Sequence, residues 1–158
     1  MISFRDIVPY VPTPKKIIRI MIGMAEVRKN EKIIDLGSGT GRIIIEVAKQ
    51  HKDNMIVGVE KSFILRTVTK LRLLFHPVLR KRVQIIKHDF FNLDLRSFSV
   101  IFCFLTPEAL RILTPKVKQL NRGSRLVSYM FHLDDHQGFT EVIDHISAKD
   151  SIYLYKKV

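Results

Sequence analysis

A short glycine-rich segment carries the most specific chemistry in the sequence. Residues 35–41 read Asp-Leu-Gly-Ser-Gly-Thr-Gly, with a carboxylate at Asp35 and a glycine at every second position after Leu36. Apolar residues lie on both sides, so the segment is expected to end a buried strand and to open a helix. Glycines let a ligand approach the backbone, and a helix start offers amide groups and a positive end. The residues predicted to bind a ligand here are Asp35, Gly37, Ser38, Gly39 and Gly41.

The charge of Asp35 and the glycine spacing indicate which ligand this is. The spacing is Gly-x-Gly-x-Gly, whereas dinucleotide-binding loops use Gly-x-Gly-x-x-Gly. Asp35 puts a negative charge where a pyrophosphate needs positive surroundings, but this charge suits an ammonium group and a nearby sulfonium. The residues therefore favour S-adenosyl-L-methionine, with S-adenosyl-L-homocysteine as its product, over a nicotinamide dinucleotide.

Two further segments offer the groups that a nucleoside needs. Glu60 follows the apolar run that ends at Val59, where doubly wound nucleoside sites carry a ribose-binding carboxylate. After a third apolar run, Asp89 is expected to accept from the adenine amino group and Phe90 to flank the base. Together with the glycine-rich segment, these residues predict a complete cofactor site.

The spacing of apolar residues predicts the elements that position this site. Thr13 and Pro14 mark a helix start, because a hydroxyl caps free amides and Pro suits the first helical turn. The side chains expected to face inward from a helix over residues 62–75 are Ile64, Leu65, Val68, Leu71 and Phe75. Further helices are predicted over residues 41–50 and 107–120, and strands over 32–36, 55–59, 83–87, 99–105 and 125–131.

The order of these elements predicts the fold class. Alternating strands and helices indicate a mostly parallel sheet covered on both faces, which is the doubly wound α/β class. Residues 139–146 and 151–157 are two extended segments so close in sequence that they can pair only as an antiparallel hairpin. The sequence therefore predicts seven strands, the last two forming a C-terminal hairpin.

Composition sets limits on domain count, compartment and partners. A chain of 158 residues suits one domain, here residues 1–158. No apolar window is long enough to cross a bilayer and no secretory signal is recognised, so the cytoplasm is the expected compartment. A formal charge of +12 predicts an anionic partner, which is an acidic protein, RNA or a membrane surface. No metal site is expected, and Cys103 is expected to be a buried, inert thiol.

Four segments together resemble a known family over nearly the whole chain. They are Val8-Pro9-Tyr10-Val11-Pro12-Thr13-Pro14, residues 35–42, Gly58-Val59-Glu60 and Val127-Ser128-Tyr129. They are similar to the small protein-lysine methyltransferases of archaea and their mitochondrial relatives. Ser38 and Thr40 stand where that family commonly has Cys and Asp, which preserves the backbone requirement of the loop.

This resemblance implies a class I methyltransferase (Rossmann-like) sheet that uses S-adenosylmethionine to methylate protein lysines. It also implies that residues 1–30 form a segment covering the cofactor and a helix, and that residues 31–158 form the core sheet. In such an arrangement Tyr10 and Thr13 contact the methionine part of the cofactor.

Methyl transfer depends on alignment of the reacting groups rather than on a protein nucleophile. The carboxyl ends of the predicted fourth and fifth strands are expected to line a lysine channel whose apolar surface favours loss of the lysine proton. Tyr129 and Thr106 are predicted to position the substrate there. The expected lining of the channel is Phe104, Leu105 and Phe131.

Three alternatives stay open at the level of sequence. The charge of +12 is also compatible with an RNA methyltransferase that holds its substrate on a basic surface. A domain that binds S-adenosylmethionine or nucleic acid without catalysis is the second alternative. Attachment of basic amphipathic helices to an anionic membrane surface is the third.

Overall fold

The computed structural model describes residues 10–158, so residues 1–9 of the predicted covering segment, including Val8 and Pro9, lie outside the described residues. Seven strands form a single sheet: β1 (Lys32–Leu36), β2 (Met55–Val59), β3 (Val83–Ile86), β4 (Val100–Cys103), β5 (Arg125–Tyr129), β6 (Phe139–His145) and β7 (Ser151–Lys157). The helices are α1 (Lys15–Ala25), α2 (Arg42–Gln50), α3 (Phe63–Leu74), α4 (Pro77–Arg80) and α5 (Pro107–Val117), with a short 3₁₀ turn at Phe90–Asn92.

The strand order is β3-β2-β1-β4-β5-β7-β6. The first five strands in this order pair in parallel, whereas β7 pairs antiparallel with both β5 and β6. The chain runs from β1 outward to β3 and then crosses back to β4 on the other side of β1. The carboxyl ends of β1 and β4 therefore form the crevice in which ligands of doubly wound sheets bind. The predicted doubly wound α/β class and the terminal hairpin are confirmed.

Two apolar layers cover the sheet. One packs side chains of α1 and α2 against Ile33, Phe102 and Val127. The other packs α5 against Ile34 and Ile101, which point to the opposite face because successive strand residues alternate. Within residues 10–158, no helix is long and apolar enough to span a bilayer.

The first helix begins differently from the prediction. Pro14 occupies the N-cap and α1 starts at Lys15, with no side-chain hydrogen bond at the cap. Pro14 contributes through its carbonyl, which accepts from the Ile18 amide at 3.0 Å. Thr13 does not cap the helix. It is buried beside the helix start, with 6% of its surface exposed, and it belongs to the site described below.

The predicted inward face of α3 is wrong. Ile64, Leu71 and Phe75 are 71%, 53% and 82% exposed. The residues that α3 buries are Arg66, Thr69 and Leu73. Arg66 donates to the carbonyl of Glu60 at 3.0 Å, and the hydroxyl of Thr69 donates to the carbonyl of Gly39 at 3.1 Å. Helix α3 faces the sheet with polar side chains because the carbonyls near the glycine-rich loop need donors.

Candidate functional site

The glycine-rich loop lies between β1 and α2, as the sequence predicts. Gly37, Gly39 and Gly41 have φ of 73°, 53° and 76°, a left-handed conformation that favours glycine. The predicted free amides are only partly present. The amides of Gly37 and Ser38 both donate to the Val59 carbonyl at 2.9 Å, so the loop is tied to the end of β2.

A cavity of about 560 Å³ opens beside this loop, within the range of about 300–1,000 Å³ that is usual for small-molecule sites. It lies at the crevice between the ends of β1, β2 and β4. Its lining brings together nine of the residues predicted from the sequence, which are Tyr10, Thr13, Asp35, Gly37, Ser38, Gly39, Glu60, Phe90 and Phe104.

Asp35 is the electrostatic centre of this cavity. Its side chain is buried, with 2% of the residue exposed. Burial raises the pKa of the Asp35 carboxyl to about 8, and the nearby charge of Glu60 acts in the same direction. A carboxylate kept from water beside a second carboxylate is stabilised by a cation. The residue therefore fits the ammonium and sulfonium groups of S-adenosylmethionine.

Glu60 is held in place by two backbone amides. Its Oε2 accepts from the Gly39 amide at 2.9 Å, and its Oε1 accepts from the Ser62 amide at 2.8 Å. Each carboxylate oxygen has a further lone pair, so both remain able to accept from the hydroxyl groups of a ribose. Glu60 thus links the loop to the start of α3 and presents its remaining acceptor capacity to the cavity.

Helix α3 also supports the glycine-rich loop from outside. The Thr69 hydroxyl donates to the Gly39 carbonyl, and Arg72 donates to the Thr40 carbonyl at 3.1 Å. A β-carbon at position 41 would lie 2.4 Å from Cγ2 of Thr69. Gly41 is not part of the cavity lining, so the structure explains this glycine by the packing of α3 rather than by approach of a ligand.

Tyr10 covers the outer side of the loop. Its hydroxyl lies 3.0 Å from Oγ1 of Thr40, and its ring lies so close to Gly39 that a β-carbon there would be 2.5 Å from Cε2. Thr13 lines the same cavity from the start of α1. The described part of the N-terminal segment therefore lies across the loop, as the resemblance implies.

Asp89 and Phe90 take different places. Phe90 is 1% exposed and lines the cavity from below, 3.8 Å from where a β-carbon of Gly37 would lie. Asp89 is outside the lining. Its Oδ1 accepts from the Phe91 amide at 3.0 Å and its Oδ2 lies 3.9 Å from Nζ of Lys61. Asp89 thereby fixes the turn that carries Phe90.

The predicted channel residues are divided between the two faces of the sheet. Phe104 lines the cavity, and its ring packs on that of Tyr129 with centroids 4.7 Å apart. Leu105 and Phe131 belong to the apolar layer on the other face, outside the cavity lining. Thr106 caps α5 by accepting from the Ala109 amide at 3.3 Å.

Tyr129 reaches the hairpin rather than the cavity. Its hydroxyl donates to Oδ1 of Asp150 at 2.8 Å. Burial and this hydrogen bond raise the pKa of Tyr129 to about 12, so the phenol stays protonated and donates at neutral pH. Tyr129 therefore acts on the cavity through the ring of Phe104.

Some lining residues were missed by sequence reasoning. Arg42, Phe63 and Leu65 all contribute to the cavity wall. Phe63 directly follows the Ser62 N-cap of α3, so its position after Glu60 was a usable signal. Among residues 10–158, no group of three or more His, Cys, Asp or Glu side chains is arranged to hold a metal ion.

Ser38 has a buried hydroxyl without a hydrogen-bond partner in the described part of the chain. Its Oγ lies against β2, 2.8 Å from where a β-carbon of Gly58 would lie. A buried hydroxyl left unpaired costs about 1–3 kcal/mol. The loop therefore carries a local loss of stability directly beside the cavity.

Replacing Ser38 by Ala is expected to raise the free energy of unfolding of the cofactor-free protein by about 1 kcal/mol, because it removes this unpaired hydroxyl. Urea denaturation measures the change. Ser128→Ala is the matched control, since the Ser128 hydroxyl is equally buried but donates to the Phe131 carbonyl at 2.7 Å. A loss of stability in Ser38→Ala as large as that in Ser128→Ala would contradict the expectation.

Comparison with known proteins agrees with this geometry. The model of the ANTKMT methyltransferase domain matches residues 35–139. A protein-lysine N-methyltransferase of Saccharolobus islandicus is 37% identical over 158 residues, covering 97% of this chain and 96% of that protein. A lysine N-methyltransferase of Caenorhabditis elegans, named for an ATP synthase component, is 25% identical and covers 97% of this chain and 82% of that protein.

Similar solved structures include an RNA methyltransferase of Salinibacter ruber in complex with S-adenosyl-L-homocysteine. It superimposes with a TM-score of 0.82 at 29% identity, covering 93% of this chain and 94% of that one. The predicted class I methyltransferase sheet and its cofactor are thereby confirmed. The chain belongs to the ANTKMT methyltransferase domain family and is an S-adenosylmethionine-dependent methyltransferase.

Proposed function

We propose that this methyltransferase acts on the side-chain amines of lysine residues in proteins. The observation that carries the proposal is the 37% identity to a protein-lysine N-methyltransferase over nearly the full length of both chains. The second relative, of Caenorhabditis elegans, also carries a lysine N-methyltransferase name and also matches 97% of this chain. The proposed substrates are proteins with accessible lysines, and the proposed compartment is the cytoplasm.

The proposed cofactor contacts follow from the charges and burial of the lining. Asp35 balances the positive charges of the methionine part, Glu60 accepts from the ribose, and Phe90 supports the base from below. Tyr10 and Thr13 cover the loop from the N-terminal side, and Gly37, Ser38 and Gly39 leave room for the ligand along the backbone. Bound S-adenosylmethionine supplies a methyl group activated by its sulfonium.

The apolar ring of Phe104 is proposed to serve the lysine rather than the cofactor. A protonated lysine is not a nucleophile, and an apolar wall lowers the pKa of an amine by withholding water. The positive cofactor acts in the same direction, because like charges disfavour the ammonium form. Phe104 therefore helps the lysine to lose its proton, and Tyr129 with Asp150 keeps the ring of Phe104 in place.

Replacing Tyr129 by Phe is expected to lower turnover about tenfold while cofactor affinity changes less than about twofold, because only the position of the Phe104 ring changes. Initial rates and calorimetric titration with S-adenosyl-L-homocysteine measure the two quantities. Asp150→Ala removes the same hydrogen bond from the other side and should have the same effect. If Tyr129→Phe and Asp150→Ala add fully in the double variant, the hydrogen bond does not act as one unit and the assignment is wrong.

An RNA substrate is the second candidate. The structurally similar Salinibacter ruber protein is named an RNA methyltransferase, and the net charge of +12 favours binding to phosphates. The substrate class is tested by incubating the purified chain with methyl-labelled cofactor and separate pools of protein and RNA. We expect label in protein, located on lysine by mass spectrometry of peptides. Label found only in RNA would overturn the lysine proposal.

A further inference from the structure

Helix α3 presents a large apolar surface to solvent. We define the α3 apolar face as Phe63, Ile64, Leu71, Leu74, Phe75 and Val78, the last of which lies on α4. Each of these residues is between 53% and 82% exposed. Single exposed apolar residues are normal on a protein surface, but a contiguous group of this kind marks an interaction surface.

The helical arrangement of α3 shows why these residues are together. At 100° per residue, the buried Arg66, Thr69 and Leu73 lie along one side of α3. Ile64, Leu71 and Phe75, spaced by seven and four residues, lie along the opposite side. The inward side is occupied by donors to the carbonyls of Gly39 and Glu60, so the apolar residues are not needed for the core. Their outward position requires a partner outside the chain.

Positive charge borders the α3 apolar face. Lys70 and Arg72 lie on its two flanks, and Arg80 and Lys81 follow at the end of α4. A groove of about 340 Å³ lies beside Phe75, between α1, α2 and the end of α3. This basic groove is lined by Lys15, Arg42, Lys49, Arg72, His76 and Phe75, among others, and Glu46 is the one carboxylate in its described lining.

We infer that the α3 apolar face and the basic groove dock the protein onto an anionic lipid bilayer. Apolar side chains bordered by Lys and Arg are the arrangement with which a surface helix enters the headgroup region of a membrane. Each basic residue near an anionic surface adds to this attraction, and the basic groove is suited to a lipid phosphate. The inference is independent of the identity of the methyl acceptor.

Other occupants fit the surface less well. A second copy of the chain would bring the same basic flanks together, because a twofold interface pairs each patch with itself. RNA would satisfy the positive charges but would leave the apolar side chains in water. A bilayer with anionic headgroups satisfies both parts of the surface. Docking would also place the cavity mouth near the headgroups, since Phe63 belongs to both the cavity lining and the α3 apolar face.

Co-sedimentation of the full chain with phospholipid vesicles tests the inference. We expect the chain to bind vesicles of phosphatidylcholine with about 30 mol% phosphatidylglycerol at least tenfold more tightly than vesicles of phosphatidylcholine alone. The double variant Leu71→Gln/Phe75→Gln should bind the anionic vesicles roughly thirtyfold more weakly than the wild type. The variant Lys15→Gln/Lys49→Gln, in the basic groove, should lose about tenfold.

The control is Val142→Gln/Ile143→Gln, which removes two apolar side chains that are 55% and 40% exposed on β6. It should bind vesicles like the wild type. Cofactor affinity and melting temperature should be unchanged in Leu71→Gln/Phe75→Gln, because both side chains are exposed and neither lines the cavity.

Several results would overturn the inference. Equal binding to neutral and anionic vesicles, or no loss in Leu71→Gln/Phe75→Gln, would exclude an anionic bilayer as the occupant. A dimer of the wild type that this variant converts to a monomer would assign the face to a second copy. A lower rate of this variant on a water-soluble protein substrate, or weaker RNA binding, would assign it to the substrate. A fall in its melting temperature would mean that the face is already covered within the chain.

Discussion

Replacing Asp35 by Asn is expected to weaken binding of S-adenosylmethionine about a hundredfold and to remove the pH dependence of that binding. The variant keeps the size and polarity of the side chain but removes the only carboxylate that the glycine-rich segment offers to a cationic ligand. Hydrogen bonds to a charged group are worth about 1.5–3 kcal/mol, which corresponds to the expected loss. Isothermal titration calorimetry of the wild type and the variant measures it.

The pH dependence follows from the pKa of Asp35, which burial and the charge of Glu60 raise to about 8. A cationic ligand favours the ionised carboxyl, so the wild type must release a proton on binding at about pH 6. Affinity should therefore rise by up to about tenfold per pH unit between about pH 6 and 7 and level off near pH 8. The amide that replaces the carboxyl in Asp35→Asn does not titrate, so the affinity of this variant should stay constant over the same range.

The same pKa predicts how stability changes without ligand. Between an unfolded value near 3.8 and the folded value of about 8, the folded state holds more protons on Asp35 than the unfolded state does. Its contribution to the free energy of unfolding therefore falls as the pH rises from about 4 to about 8. Asp35→Asn should abolish this fall. Asp53→Asn is the control, because Asp53 is a surface residue paired with Lys29 at 3.6 Å. A wild type and an Asp35→Asn variant with the same pH profiles would contradict the role of Asp35.

Replacing Gly41 by Ala is expected to lower the free energy of unfolding by about 3 kcal/mol. A left-handed conformation costs a non-glycine residue about 1–2 kcal/mol, and Gly41 has a φ of 76°. The new β-carbon would also lie 2.4 Å from Cγ2 of Thr69, which is fully buried, and overpacking of this kind costs about 1–3 kcal/mol. Chemical denaturation in the absence of cofactor measures the sum.

The double variant Gly41→Ala/Thr69→Ser separates the two causes. Serine keeps the hydroxyl that donates to the Gly39 carbonyl and removes the methyl group that the new β-carbon would meet. We expect it to recover roughly 1–2 kcal/mol relative to Gly41→Ala and to leave the conformational cost in place. If the second substitution restores no stability, the contact with α3 does not explain the glycine at position 41.

The centre of the site was predictable because its signals are local. Asp35 and the glycines that follow it form one short segment, and Glu60 ends the next strand at the same edge of the sheet. Parallel strands bring their carboxyl ends together, so sequence order alone places these residues side by side. The strand bounds of β1 and β2 agree with the prediction for the same reason, since both strands are continuous apolar runs.

The orientation of α3 was not predictable from its periodicity. Apolar residues at helical spacing define a face but do not say whether that face meets the core or an external partner. Here the inward face is set by unpaired carbonyls on the loop, which select Arg66 and Thr69. Such carbonyls are not visible in the sequence, because they arise only when the loop folds back on β2.

The places of Tyr129 and Leu105 depended on contacts between distant segments. The acceptor for Tyr129 is Asp150 in the turn between β6 and β7, and sequence spacing does not relate these two residues. Leu105 follows Phe104 directly, so the two side chains point to opposite faces and only one of them reaches the cavity. The prediction of a channel at the strand ends was therefore right about the edge of the sheet but did not distinguish its faces.

Calorimetric titration of the purified chain with S-adenosyl-L-methionine at about pH 7, in two buffers with different heats of ionisation, tests the central claim most directly. We expect saturable binding at one site, with a proton released to the buffer as Asp35 ionises against the cationic ligand. Absence of saturable heat, or binding in which no proton leaves the protein, would contradict the assignment of a buried carboxyl at the end of β1 as the group that receives the cofactor.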